Sequence, residues 1–263
     1  MLELYHYGTA VCPQRARLVL TEKGLQWTSH ILNIRMGEHL NPQYLKLNPK
    51  GVVPTLVHDS NVFVETTVIM YYLDEAFPEL PLQPADPVGR ARTRMWTKRV
   101  DDELHPDCGV LSWTTYIRTE MLARPPEDLE EHYRKMPDPD WRDLQRQCFE
   151  MGIEAPVFRS AIRRYDKVLG IMEEALADGP WLGGADYTLA DAAVTPYVLR
   201  LDMLGMSGMW EGSRPRVGDW YGRVRARPSA AVALDAYIKP ADADKMIGPG
   251  TEVWPEIQKI LAA

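Results

Sequence analysis

A chain of 263 residues, 45% of them hydrophobic and 25% charged, is long enough to bury a sizeable core in one large domain or two small ones. Its net charge of −7 argues against nucleic acid as a partner, because a polyanion needs a basic surface. No apolar run approaches the ~18 residues that span a bilayer, and the first residues do not resemble a signal peptide. We therefore expect a cytoplasmic protein with no membrane partner.

The first eighty residues alternate between strand and helix patterns. Strands are predicted at LELYHY, LQWTSHILNI, VPTLVHD and NVFV, the last two joined as a hairpin by DSN. Helices are predicted at CPQRARLVLTEKG, between Pro13 in its first turn and Gly24 at its end, at NPQYLKLNP and at ETTVIMYYLDEAFP. The order β-α-β-α-β-β-α predicts an α/β domain over residues 1–80.

The rest of the chain shows helical patterns only. PELPLQPADP, with four prolines in ten residues, is typical of a linker. In the long pattern that follows, Pro106 should kink the helix or end its first half. Residues 120–156 are polar and contain prolines, which indicates an excursion between helices. The segment after Pro240 stays unassigned. An all-helical unit over residues 88–263 is completed by three more helical stretches: RSAIRRYDKVLGIMEEALAD, TLADAAVTPYVLRLDML and RVGDWYGRVRAR.

One of these helices has a sharp start signal. Thr188 is followed three residues later by Asp191, at the beginning of an apolar run. This spacing predicts a capping box, with Asp in the place of the usual Glu or Gln. We expect its role to be structural, as the start of a buried helix.

Cys12 lies at the step from the first strand to the first helix. Free N–H groups and the dipole at a helix N-terminus stabilise a thiolate, and Arg15 and Arg17 would add positive charge nearby. The alternative is a buried, inert cysteine, the commoner state of this residue. Because CPQR is not a CxxC motif, a reactive Cys12 must use an external thiol. The three cysteines lack metal-ligand spacing, and we expect them reduced, with no bound metal.

Two further stretches carry binding features. In NPKGVVPTL, Pro54 directly precedes a strand, and a cis Val53–Pro54 bond would turn the Val53 backbone towards a ligand. The alternative is an ordinary trans proline at a strand edge. Glu65 and Thr66 open a helix directly after a strand, where free N–H groups and a hydroxyl favour a carboxylate ligand. The alternative there is an ordinary capping pair.

Taken together with the linker and YTLADAAVTPY, these stretches resemble the glutathione transferase superfamily along the whole chain and in the family's order. The resemblance implies a thioredoxin-like N-terminal domain that binds glutathione and an all-helical C-terminal domain, with the substrate pocket between them. It also implies that Val53 pairs with the cysteinyl backbone of glutathione and that Glu65 and Thr66 hold its γ-glutamyl end. His39 or Lys50 would contact the glycyl end. A homodimer is implied as well.

The first helix narrows the subclass. The catalytic serine of zeta-type members falls on Ala10, whereas Cys12 falls where a bacterial cysteine-type subgroup has its catalytic thiol. LYHYGTAVC resembles the hydroquinone reductive dehalogenases, while WTKRVDDEL and VETTVIMYYLDEAFPE are closer to the lignin β-etherases. We expect a glutathione-dependent transferase, with glutathione as co-substrate, that displaces halide or phenolate from hydrophobic aromatic electrophiles.

The expected mechanism assigns a role to each candidate residue. Helix-start N–H groups and the Thr9 hydroxyl would stabilise the glutathione thiolate, and Cys12 would then attack the glutathionyl sulfur of the conjugate. Trp113, Tyr116 and residues around Met203 to Trp210 would line the substrate side, with helix core as the alternative for them. The 120–156 excursion would roof this pocket. One alternative function is a non-catalytic ligand-binding protein of the same fold. Another is a purely structural role as a dimer partner, which a Cys12 buried away from solvent would favour.

Overall fold

A four-stranded mixed sheet forms the centre of the N-terminal unit in the computed structural model, which describes residues 1–263. The strand order is β2-β1-β3-β4, with β1 parallel to β2 and antiparallel to β3, and with β4 antiparallel to β3. Leu2 and Leu4 of β1 are buried and alternate with less buried residues, as the period of two of a strand requires. The strands are β1 Leu2–His6, β2 Trp27–Ile31, β3 Thr55–His58 and β4 Asn61–Phe63.

Three helices complete this unit and confirm the predicted order β-α-β-α-β-β-α. They are α1 Val11–Glu22, α2 Pro42–Leu47 and α3 Thr66–Ala76. Two short 3-10 turns, Ile34–Met36 and Glu38–Leu40, precede α2. Helix α1 packs against α3 and also against α10 (Leu189–Met203) of the helical half.

The remainder of the chain is helical, as predicted, and begins directly after the proline-rich linker. The helices are α4 Pro87–Arg99, α5 His105–Ser112, α6 Arg118–Leu122, α7 Pro126–Lys135, α8 Pro139–Met151, α9 Pro156–Ala175, α10 Leu189–Met203, α11 Pro215–Arg225, α12 Pro228–Ala233 and α13 Pro240–Ala262. The combination of a small mixed sheet and an all-helical second unit confirms the expected fold class. No helix is both long and apolar enough to cross a membrane.

The helix that contains Pro106 continues through it, contrary to a simple break. A π-helical segment, Val100–Leu104, joins α4 to α5, and a second one, Trp113–Ile117, joins α5 to α6. Proline lacks an N–H group and its ring clashes with the carbonyl four residues earlier, here that of Asp102. The π-helical turn contains that carbonyl, and Pro106 follows in the first turn of α5.

Two regions are more regular than their sequence suggests. The excursion at 120–156 contains the two helices α7 and α8, each of which begins at a proline in the first turn, where proline is tolerated. The unassigned segment after Pro240 forms the long helix α13 in spite of Pro249 and Pro255. A side chain at Gly250 would collide with the Leu204 carbonyl, so a glycine is required for α13 to lie against the end of α10.

The core is continuous between the two halves. A single cluster of 56 buried apolar residues includes Leu18 of α1, Leu56 of β3 and Val194 of α10. The capping box predicted for α10 is present, with the Thr188 side chain accepting from the helix and the Asp191 side chain accepting from Thr188 N–H. The helix it begins is buried along most of its length.

Candidate active site

Cys12, His105 and Tyr197 form a cluster where the two halves of the molecule meet. The Cys12 Sγ lies 3.5 Å from Nδ1 and 3.8 Å from Nε2 of His105, and 3.8 Å from the Tyr197 hydroxyl. The same hydroxyl lies 3.4 Å from His105 Nδ1. Cys12 is half-buried, so its sulfur is not sealed off in the core, and the structural-only interpretation of a fully buried cysteine is not supported.

Three separate elements bring these side chains together. Cys12 is the second residue of α1, His105 is the first residue of α5 and Tyr197 lies within α10. His105 follows directly on the π-helical segment Val100–Leu104. Because a π-helical turn holds more residues than an α-helical turn, it rotates the residues after it relative to those before, and such turns occur frequently at functional sites.

The pKa of the Cys12 thiol is about 6, below its ordinary value. Burial by itself would raise this pKa, but the charge and hydrogen bond of His105 lower it, and together with the other groups around the sulfur they outweigh burial. The charge of Arg15 and a hydrogen bond from Thr66 act in the same direction. Cys12 is therefore a thiolate at neutral pH, the form that acts as a nucleophile.

The His105 pKa is raised in response. Burial and the charge of Arg15 would lower this pKa, whereas the Cys12 thiolate, its hydrogen bond and the Asp101 carboxylate raise it. A raised imidazole pKa beside a lowered thiol pKa means that the proton resides on His105. The two residues form a thiolate–imidazolium pair.

Arg15 and Arg17 have different surroundings, although the sequence suggested the same role for both. Arg15 is buried and donates to Asp101 (2.9 Å) and Thr67 (2.6 Å) close to Cys12. The prediction for Arg17 is wrong, since it donates to backbone carbonyls that include Gly8 and Ala233. The helical period explains this. Arg15, three residues after Cys12, lies on the same face of α1, whereas Arg17, five residues after it, does not.

The predicted glutathione-site residues surround the N-terminus of α3. The Val53–Pro54 peptide bond is cis, as expected. Thr66, the first residue of α3, is buried and helps to lower the pKa of Cys12, while Glu65 precedes it with a φ of 66°. A non-glycine residue with positive φ is strained, and such strain is concentrated at ligand-binding and active sites. Lys50 Nζ lies 2.6 Å from Glu65 Oε1, and both side chains are exposed to solvent.

Thr9 and His39, the remaining predicted site residues of the N-terminal unit, make no hydrogen bond through their side chains. The Thr9 backbone carbonyl accepts from Arg200, and its hydroxyl has no hydrogen-bond partner. His39 lies in the second 3-10 turn, where burial, helped by the charge of His132 in α7, lowers its pKa to about 4. Its Nδ1 is buried without a partner.

One side of the cluster is aromatic, and helix α8 contributes to it. The Trp141 ring lies 6.2 Å from the His105 ring in a stacked arrangement and 4.7 Å from the Trp113 ring in an edge-to-face arrangement. The hydroxyl of Tyr116 accepts from Arg35 and Arg200, both at 3.2 Å. Among the predicted lining residues, Trp113 and Tyr116 are buried in the core cluster, and so are Met206, Met209 and Trp210.

Sequence reasoning missed His105, Tyr197 and Trp141. His105 is a single histidine next to a proline, Tyr197 belongs to a wholly buried helix, and Trp141 lies in the polar excursion. His105 had one local signal, the proline after it, which marked an irregular helix but gave no partner. No group of three or more His, Cys, Asp or Glu side chains is arranged to hold a metal ion.

Comparison with known proteins agrees with this geometry. Residues 4–81 match the model of the glutathione S-transferase N-terminal domain and residues 139–223 that of the C-terminal domain, together more than half of the chain. The chain therefore belongs to the glutathione S-transferase family and is a glutathione-dependent transferase.

Two bacterial relatives span nearly the whole chain. Protein LigF of Sphingobium sp. is 29% identical over 87% of this chain and 91% of its own length. The tetrachloro-p-hydroquinone reductive dehalogenase of Sphingobium chlorophenolicum is 28% identical over 88% of this chain and 95% of its own length. The crystal structure of the beta-etherase LigF superposes with a TM-score of 0.82 and covers 89% of this chain and 99% of that chain. Both subgroups that the sequence resembled are thus found among its relatives.

The three cysteines should react very differently in the native protein. We expect iodoacetamide to label Cys12 with a rate that falls as pH drops through about 6, because protonation removes the thiolate. Cys108 and Cys148 are buried, and burial raises the pKa of both thiols, that of Cys148 to about 12. Peptide mass mapping after timed labelling measures all three. A Cys12 midpoint near the ordinary thiol value of ~8.5 would contradict the expected ion pair.

Proposed function

We propose that this transferase uses the glutathione thiolate to displace halide or phenolate from hydrophobic aromatic electrophiles, and then reduces the conjugate through Cys12. Two relatives with these printed activities, a beta-etherase and a hydroquinone reductive dehalogenase, support the substrate class. The partly exposed Trp141 ring, stacked on His105 and packed edge-to-face on the buried Trp113, suits a flat, apolar substrate. Helices α7 and α8 would serve as the roof of that pocket.

The observation that carries the reductive step is the 3.5 Å contact between Cys12 Sγ and His105 Nδ1. In the first step the glutathione thiolate attacks the electrophilic carbon, a carbon–sulfur bond forms and halide or phenolate leaves. The Cys12 thiolate then attacks the glutathionyl sulfur, the carbon–sulfur bond breaks and a mixed disulfide forms. A second glutathione attacks this disulfide, which releases oxidised glutathione and regenerates the Cys12 thiolate.

Glutathione itself is assigned to residues 1–80 and the aromatic substrate to residues 88–263. The Val53 backbone would pair with the cysteinyl part of glutathione, and Glu65 and Thr66 would hold the γ-glutamyl end. Thr66 supports this assignment, because it begins α3 and also helps to lower the pKa of Cys12. Lys50 or His39 would hold the glycyl end, and the buried, unpartnered Nδ1 of His39 is consistent with a missing ligand contact. The Thr9 hydroxyl, which has no partner, would be free for the thiolate.

Glu65→Ala should weaken glutathione binding. Loss of one charge-assisted contact costs about 1.5–3 kcal/mol, which corresponds to about a tenfold or greater rise in the dissociation constant. Calorimetric titration with glutathione measures this change. Glu75→Ala is a matched control, because Glu75 is an exposed glutamate of the same helix without an ion pair. Equal affinity in both variants would remove Glu65 from the site.

The reaction itself is tested with two substrates in parallel. The purified protein is incubated with glutathione and either a chlorohydroquinone or a β-aryl ether ketone, and release of chloride or phenol is measured. Glutathione-dependent product from one of them supports the proposal and decides between the two leaving groups. No turnover on either, together with glutathione-independent binding of the same aromatics, would contradict it.

The protein is further proposed to act as a cytoplasmic homodimer. Val62 of β4, Val68 of α3 and Met95 of α4 are large apolar residues that remain exposed. Burying such residues favours association, and closed two-fold dimers are the commonest soluble assemblies. Light scattering should give twice the mass of the chain at micromolar concentration, and a monomer mass there would refute the dimer.

A further inference from the structure

His105 holds a proton that the displacement and disulfide steps described above do not use. Those steps consume a thiolate at Cys12, but they also leave a carbanion when the carbon–sulfur bond breaks. This carbanion must be protonated before it becomes a stable product. The second glutathione must in turn lose a proton before it can attack the disulfide.

The surroundings of His105 suit a proton carrier. Its Nδ1 contacts Cys12 Sγ at 3.5 Å and the Tyr197 hydroxyl at 3.4 Å, while its Nε2 has no hydrogen-bond partner except the same sulfur at 3.8 Å. One face of its ring is stacked on Trp141, beside the proposed aromatic pocket. Both ring nitrogens therefore lie within 3.8 Å of the sulfur that would attack the conjugate.

The other polar groups around Cys12 are less suited to move a proton. Arg15 is held by Asp101 and Thr67 and stays protonated. Burial raises the pKa of Tyr197 well above its ordinary value, so its hydroxyl keeps its proton near neutral pH. The charged and titratable groups that face His105 are Cys12 and Arg15 from α1, Asp101 from the π-helical segment and Tyr197 from α10.

We propose that His105 is a catalytic residue that protonates the carbon freed by Cys12 and then accepts the proton of the second glutathione. The inference rests on the proposed function. In the first half, the Cys12 thiolate bonds to the glutathionyl sulfur, the carbon–sulfur electron pair passes to carbon, and the imidazolium proton forms the new carbon–hydrogen bond. In the second half, neutral His105 takes the thiol proton of glutathione, and the resulting thiolate displaces the Cys12 thiolate as oxidised glutathione forms. In the net reaction, the conjugate and one glutathione give the reduced product and oxidised glutathione. His105 returns to its imidazolium form.

The test uses His105→Gln, with His58→Gln as the matched control. His58 is the last residue of β3, at the opposite end of the strand from Thr55 and Pro54, and it lies next to Asp59. A first measurement, the pH profile of Cys12 alkylation, does not depend on any substrate. In His105→Gln its midpoint should move from about 6 towards the ordinary ~8.5, while His58→Gln should match the wild type. If His105→Gln does not fold, as judged by circular dichroism, His105→Asn carries the same test.

A second measurement separates proton transfer from thiolate stabilisation. Single turnover of a purified glutathionyl hydroquinone or α-glutathionyl ketone is followed across the pH range, and each rate is divided by the fraction of Cys12 thiolate that the alkylation profile gives for that variant. Release of reduced product in His105→Gln should remain slower than in the wild type by about 10²-fold or more, and added imidazole should restore part of the rate.

The outcomes distinguish the inference from the function on which it rests. Equal rates per Cys12 thiolate in His105→Gln and the wild type would overturn the proton-transfer role and reduce His105 to a positioning residue. An unchanged alkylation profile would overturn the ion pair itself. If the wild type gave no reduced product from either conjugate while the alkylation midpoint still moved, the reductive function would fail, and the proton transfer with it, although the ion pair would stand.

Discussion

Replacing Cys12 with serine should leave a protein that forms the glutathione conjugate but does not release reduced product. The hydroxyl of serine is not ionised near neutral pH and does not form a mixed disulfide. The displacement step needs only the glutathione thiolate, which α1 N–H groups would still stabilise. The conjugate should therefore accumulate, with reduced product lowered by at least about 10²-fold.

Two measurements check this result. Chromatography of the reaction gives the ratio of conjugate to reduced product, and intact-mass analysis of the wild type during turnover should show one added glutathionyl group. Cys148→Ala is the control, because Cys148 is fully buried within the helical unit. In the wild type the reductive step should also slow as pH falls through about 6, where Cys12 becomes protonated.

The same experiment has a clear contrary outcome. If Cys12→Ser keeps the product ratio of the wild type and no adduct appears, Cys12 only assists binding of glutathione. Thr9 and the local backbone would then be the groups that stabilise the thiolate, and the product would be a simple thioether. The contact of Cys12 with His105 would in that case have no catalytic consequence.

Asp191→Ala should destabilise the whole protein, because four donors in the core depend on this carboxylate. Its Oδ1 accepts from Leu182 N–H and Trp220 Nε1, both at 2.9 Å. Its Oδ2 accepts from Thr188 N–H at 2.9 Å and from the Thr188 hydroxyl at 3.2 Å. Asp191 is fully buried, so no water replaces the lost acceptor. We expect the free energy of unfolding to fall by about 3 kcal/mol or more, since each unsatisfied buried group costs about 1–3 kcal/mol and a lost helix cap about 1.

Urea unfolding monitored by tryptophan fluorescence measures this loss. Asp186→Ala provides a matched control five residues away, because Asp186 is exposed and makes no hydrogen bond through its side chain. The control should stay within about 0.5 kcal/mol of the wild type. A change below about 1 kcal/mol in Asp191→Ala would mean that the buried network is replaced by other contacts and is not essential to α10.

Local patterns were sufficient for most of the fold. The alternation in β1, the prolines in first turns of helices and the Thr188–Asp191 spacing each act over a few residues, and the structure has them where the sequence indicated. The excursion at 120–156 was underestimated for the same reason. Its amphipathic helices α7 and α8 have few apolar residues, and tertiary packing, of Trp141 on Trp113 and of Tyr133 on Phe149, adds what their local pattern lacks.

By itself, the sequence determined that a cysteine stands at a helix N-terminus in a glutathione transferase fold. What acts on that cysteine was decided only by tertiary structure, because His105 lies 93 positions away and Tyr197 lies 185 positions away. No local spacing links them, and the π-helical segment that orients His105 has no sequence period of its own. Electrostatic effects depend on distance and burial, and both arise only when α1, α5 and α10 pack together. The lowered pKa of Cys12 is therefore a property of the packed helices and not of the CPQR sequence.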